Sequence, residues 1–160
     1  GYVGRDAYTP LCMCLRDIIS SFAENGTCTF VSGGAQGADQ LAFWSVEHVK
    51  RERGGISNVV FCPFDGQDSK WHQGGPFGKD EYRMMLDAAD HVTYVSHSPS
   101  REAYIRRDKA MVDASGAVVA LTFDGWETDD SGTAATMRYA SKSGVPIVVV
   151  NPVDMTLSLA

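Results

Sequence analysis

The sequence predicts an α/β fold with a mainly parallel sheet of about five strands. Apolar residues at helical spacing alternate with short β-rich runs along the chain. The run Ala117-Val118-Val119-Ala120-Leu121 is apolar at every position, as a strand covered on both sheet faces requires. Several strand-like runs also end in glycine or proline just before the next helical stretch.

Residues 1–9 read as a loop. Thr9 is placed to cap a helix and Pro10 suits its first turn, where a missing N–H costs nothing. Leu11, Leu15, Ile18, Ile19 and Phe22 then recur at helical spacing until Asn25-Gly26. The first strand is expected over 27–31, followed by Ser32-Gly33-Gly34-Ala35-Gln36-Gly37-Ala38-Asp39. A second helix is expected over 38–53, ended by Gly54-Gly55, and a second strand over 58–62, halted by Pro63. After a polar loop over 64–78, a helix around 81–89 leads to a strand over 91–95. The next pair is a helix containing Tyr104, Ile105, Met111 and Val112, then the strand 117–121. Beyond the acidic loop 124–131, a helix over 132–143 ends at Gly144, and the last strand covers 145–150.

Length and composition bound the function. At 160 residues the chain is expected to form one domain with a sizeable core. With 14 basic and 20 acidic residues its net charge is −6, which disfavours nucleic acid as a partner, because phosphate contacts need clustered cations. No apolar run has the length of a membrane span and no signal peptide opens the chain, so the expected location is cytoplasmic. Cys12, Cys14, Cys28 and Cys62 lack metal-binding spacing and read as small buried hydrophobes. His48, His72, His91 and His97 show no ligand spacing either, and no metal or other cofactor is expected.

In parallel sheets ligands bind outside the carboxyl ends of the strands, and three segments there carry candidate chemistry. In Ser32–Asp39, glycines allow close approach of an anion to backbone amides, and the following helix start adds positive potential. The competing reading is a tight strand-to-helix turn. Gly132-Thr133 offers the same chemistry more weakly, against a plain N-cap by Ser131 or Thr133. Arg101, Arg106, Arg107 and Lys109 make a net-basic stretch, and consecutive Arg106 and Arg107 point in different directions on a helix. At most one of them is expected to face the cleft; the ordinary reading is a solvated charged face, and the functional one a guanidinium that pairs with phosphate or carboxylate. Trp71 is placed either to stack on a ring or to plug its loop onto the core. Asp124, Glu127, Asp129 and Asp130 are read as a solvated acidic loop rather than a cation site.

The string Val31-Ser32-Gly33-Gly34-Ala35-Gln36-Gly37-Ala38-Asp39 resembles the first glycine loop of the SLOG superfamily, in particular its YpsA-like branch. Cys62-Pro63-Phe64, Ser69-Lys70-Trp71, Tyr82, Arg107-Asp108 with Met111-Val112-Asp113, Phe123-Asp124-Gly125, and Gly132-Thr133 with Arg138-Tyr139-Ala140 resemble that branch as well. The resemblance runs from the first residue to about Pro152. It implies a Rossmann-like three-layer sandwich and a nucleotide-derived ligand over the strand ends, in a bacterial or phage regulatory or sensor protein. It also implies a homodimer. Ser32, Gly33, Gly34, Ala35 and Gly37 would hold a phosphate, and Gly132 and Thr133 a second anionic or ribose group. Arg107 would neutralise charge and Asp39 would accept from a ribose hydroxyl. Trp71 would cover a base, with Pro63, Phe64 and Asp124 nearby.

Two departures qualify what is carried over. Relatives open with a strand and a T-G-H-R-P-like segment, so the family's first strand is expected to be absent here. The phosphoribohydrolases of the superfamily carry P-G-G-x-G-T-x-x-E, whereas Thr136 stands at the glutamate position and Ser131 breaks the glycine run. An N-glycosidic hydrolase acting on nucleoside monophosphates is thus the second reading, with Arg107 and Asp39 as its candidate catalytic groups. A single-strand DNA binder resembling DprA is the third, and a plain interaction protein the fourth.

Overall fold

The computed structural model describes residues 8–160 and bears out the α/β class. Expectations for residues 1–7, including whatever precedes the first helix, lie outside the described residues. The chain divides into two compact units with the boundary between Pro99 and Ser100.

The first unit begins with α1 (Thr9–Glu24), whose buried stripe Leu11, Leu15, Ile18, Ile19 and Ala23 faces α2 (Ala38–Arg53). Thr9 is not the cap. It lies inside the helix, Tyr8 is the N-cap, and no side chain closes that end. Three parallel strands follow, β1 (Thr29–Ser32), β2 (Ser57–Cys62) and β3 (His91–Tyr94), in the order β1-β2-β3. The helices α2 and α3 (Lys79–Ala88) are the crossovers. Sequential order with right-handed crossovers puts both on one sheet face, which explains the alternation along β2. Asn58, Val60 and Cys62 are buried beneath the helices, while Val59 and Phe61 on the opposite face are half-buried. Phe43, Val60, Cys62, Tyr82 and Met85 form the core between sheet and helices.

The lower end of this unit is closed by a polar clamp. Lys50 Nζ donates to both oxygens of Asp90 at 2.8 and 2.7 Å, and Asp90 Oδ2 also accepts from the Asn58 amide at 2.8 Å. The fully buried Asn58 side chain donates to the Phe43 carbonyl and to Glu47. These bonds satisfy a polar group that would otherwise be costly inside the core.

The second unit contains α4 (Arg101–Asp113), β4 (Val118–Leu121), a 3₁₀ turn (Trp126–Thr128), α5 (Gly132–Lys142), β5 (Ile147–Val150) and β6 (Leu157–Leu159). Its sheet has the order β4-β5-β6, with β4 and β5 parallel and β6 antiparallel at the edge. The described strands therefore number six, in two three-stranded sheets, rather than about five. The short β6 escaped sequence reading because all three of its residues are exposed, so no buried alternation marks it. Val112, Ala120, Met137, Ala140, Ile147 and Val149 make this unit's core.

All four cysteines are free thiols, and only Cys62 is buried, so the expectation of four buried hydrophobes holds for that one alone. Cys28 lies in the turn before β1 rather than in the strand, which leaves it exposed.

Candidate functional site

Because β1, β2 and β3 are parallel, their carboxyl ends lie at one edge of the first unit's sheet. That edge carries the glycine loop 33–37 and the long connection after Cys62. The glycine loop is tightly determined. Gly34 adopts φ +68°, and a Cβ built there would meet Met85 Cε at 3.0 Å and Gln67 Nε2 and Tyr82 Cε2 at 3.1 Å. Both the backbone angle and the close approach call for glycine. Gly37 caps α2 at φ +89° and ψ −116°, a conformation that side chains disfavour.

The loop's amides converge. Gly33 N and Ala35 N both donate to Asp39 Oδ2, at 3.1 and 3.2 Å. Asp39 lies in the first turn of α2, where amides lack intrahelical partners and a negative charge is favoured. Its carboxylate thus curls back onto the loop instead of standing clear of it. The arrangement is an anion-binding nest whose occupant is a side chain of the same chain.

Beneath that nest lie polar groups with no partner. The Ser32 hydroxyl and both amide atoms of Gln40 are buried and make no hydrogen bond. Ser32 pairs with Val60 in the parallel register, so the two share the sheet face that α2 covers. Gln40 lies one turn before Phe43 on the helix stripe that packs on Val60 and Cys62. Two orphan polar side chains therefore occupy the apolar layer under the first turn of α2. A buried amide or hydroxyl without a partner costs ~1–3 kcal/mol, so such groups call for an explanation.

The connection after β2 braces the loop from the other side. Gln67 Nε2 donates to the Gly33 carbonyl at 3.3 Å and to the Tyr82 hydroxyl at 2.9 Å. The Tyr82 oxygen is in turn 3.2 Å from Cys62 Sγ. Burial, then the Cys62 contact, pushes the Tyr82 phenol well above its ordinary value, so it remains a neutral bridging group. Gln36 Nε2 donates to the Phe77 carbonyl at 2.8 Å, fixing the outer end of the loop.

The remaining expected residues divide between the two units. Pro63 and Phe64 are buried and support the edge from inside. Trp71 is half-buried and packs edge-on against Tyr82 at 5.1 Å, in the manner of a plug. In the second unit Arg107 is buried whereas Arg106 is exposed, as their adjacent helix positions require. Arg107 Nε donates to Asp108 at 2.6 Å, and its guanidinium lies 5.9 Å from the Tyr104 ring centre. Asp124, Gly132 and Thr133 are exposed. Ser131 is the cap of α5, accepting from Ala134 N at 3.2 Å, and Thr136 donates its hydroxyl to the Gly132 carbonyl at 2.9 Å. The acidic loop is held by Arg138, which donates to the carbonyls of Trp126, Glu127 and Asp129. Among the described residues no group of three His, Cys, Asp or Glu side chains is placed to hold a metal ion. No described helix is long and apolar enough to cross a membrane.

Gln36, Gln40 and Gln67 were not singled out from the sequence. Gln40 had a readable signal, a polar side chain three residues before Phe43 on a core-facing stripe. Gln67 and Gln36 had none, since each acts through a partner distant in sequence.

Comparison with known proteins agrees with the architecture. The model of the YspA SLOG family matches residues 5–155. An uncharacterised SPbeta prophage-derived protein of Bacillus subtilis (strain 168), YoqJ, is 33% identical over 128 residues, covering 71% of this chain and 70% of that protein.

Proposed function

The chain belongs to the YspA SLOG family, and from that premise we propose that it is a cytoplasmic protein that binds a nucleotide-derived ligand through the glycine loop after β1. The observation that carries this reading is the convergence of the Gly33 and Ala35 amides on one anionic oxygen, at the start of a helix. A phosphoryl oxygen has the same charge and the same appetite for two N–H donors. The orphan Ser32 hydroxyl and Gln40 amide, nine-tenths or more buried under that helix turn, add support. Gly34 and Gly37 keep side chains away from the backbone, and Gln67 with Tyr82 holds the loop in place.

Isothermal titration of the full chain with AMP, ADP-ribose, NAD and cyclic ADP-ribose tests the proposal. Saturable binding of at least one, lost in Gly34→Asp with the fold retained, is the expected result. Silence from every ligand with folded protein would overturn it. The homodimer implied by the family resemblance is open to sedimentation equilibrium on the same samples.

A further inference from the structure

We propose that Asp39 is the resident anion of the glycine loop, and that a ligand's phosphoryl group binds by displacing its carboxylate from the Gly33 and Ala35 amides. This rests on the ligand reading above and adds how that site is regulated. Three observations carry it. Both amides donate to the same carboxylate oxygen, Oδ2, at hydrogen-bonding distance. Asp39 lies six residues from Gly33 but only in the first turn of α2, so rotation of its side chain releases the amides without moving the backbone. The loop itself is held by contacts that do not involve Asp39, namely Gln67 to the Gly33 carbonyl and Gln36 to the Phe77 carbonyl. A nest so braced remains formed when its occupant leaves.

The consequence is a built-in threshold. A phosphate must outcompete a carboxylate that is covalently tethered and therefore present at high effective concentration. Groups with one diffuse negative charge compete poorly, and doubly charged phosphoryl groups compete best. In the ligand-free protein the carboxylate accepts from both amides, which keeps the loop ordered.

The test compares wild type with Asp39→Asn and Asp39→Ala, titrated calorimetrically with inorganic pyrophosphate and with ADP-ribose. Urea unfolding of each protein establishes that it is folded. Asparagine keeps the shape and one acceptor but removes the charge, so Asp39→Asn is expected to bind both probes of order tenfold more tightly than wild type. Asp39→Ala is expected to move in the same direction. In wild type, the Asp39 carboxyl carbon is expected to shift in the NMR spectrum together with the Gly33 and Ala35 amides as pyrophosphate is added. Equal or weaker binding by a folded Asp39→Asn, with wild type binding, overturns the displacement and leaves the ligand reading intact. A carboxyl carbon that stays fixed while wild type saturates does the same. Absence of binding in all three folded proteins removes the ligand reading itself, and the displacement with it.

Discussion

The glycines at the starts of α2 and α5 sit in connections that are built differently. After β1, the amides of Gly33 and Ala35 turn inward onto one carboxylate oxygen, over buried polar side chains that lack partners. In the first turn of α5, Gly132 and Thr133 are exposed and Ser131 caps the helix through Ala134 N. A Cβ added at Gly34 would sit tightly, 3.0–3.1 Å from the side chains of Met85, Gln67 and Tyr82, whereas nothing lies within 4 Å of one added at Gly132. A glycine before a helix is therefore a weak indicator of an anion site. The stronger ones are a left-handed backbone, close packing around it, and donors that converge on one point.

The largest expected contrast follows from that difference. Gly34→Ala combines a disfavoured φ with contacts near 3.0 Å and is expected to cost about 2–3 kcal/mol in urea unfolding. Gly132→Ala is expected to stay within about 0.5 kcal/mol of wild type, since it adds a good helix former in open space. Equal losses at the two positions would break the comparison.

Next in size is the brace. Gln67→Ala strips the Gly33 carbonyl and the Tyr82 hydroxyl of a buried donor, for an expected loss of about 1–2 kcal/mol by the same assay. Amide exchange at residues 33–35 is expected to quicken in that variant. Ser131→Ala sharpens the other half of the comparison. Removing an ordinary N-cap is expected to cost about 1 kcal/mol and to leave ligand titrations unchanged. A loss of binding in that variant would mean that the turn before α5 is more than a cap.

The smallest effect belongs to the clamp at the opposite end of the first unit. The hydrogen bond from Lys50 holds the Asp90 carboxyl below its ordinary value, and the reciprocal bond raises the Lys50 ammonium. Asp90 therefore contributes stability above the ordinary carboxylate range, and that contribution fades as pH falls through its lowered value. Lys50 contributes below the ordinary lysine value and fades as pH rises through its raised one. The pair is partly exposed and screened by salt, so Lys50→Ala is expected to cost only about 0.5–1 kcal/mol near neutrality. The difference from wild type should shrink in strong acid and in molar salt, as measured by unfolding across pH and ionic strength.

The fold was legible where periodicity was strong. The second helix was read over its full extent, 38–53, because Phe43, Val46 and Val49 mark its buried stripe and Gly54 its end. The cap of α1 was misplaced by one residue, since Tyr8 has no capping side chain to advertise it. The edge strand β6 was missed for want of burial. At the glycine loop the residue types point to an anion, and two of its amides donate to one carboxylate oxygen of the same chain. What sequence could not give is the identity of its occupant. The resemblance implies that Asp39 accepts from a ribose hydroxyl; its Oδ2 accepts from the loop's own amides. Asp39, in the first turn of α2, is within reach of the amides of the loop that precedes the helix. The braces from Gln67 and Gln36 span 34 and 41 residues, a reach that no local pattern records.

The most direct measurement is a ¹⁵N-resolved NMR titration of the full chain with ADP-ribose. The largest and saturable amide shifts are expected on Gly33, Gly34, Ala35 and Gly37, while those of Ser131 and Ala134 stay close to their ligand-free positions. Saturable binding whose shifts spare residues 33–37 would contradict that expectation.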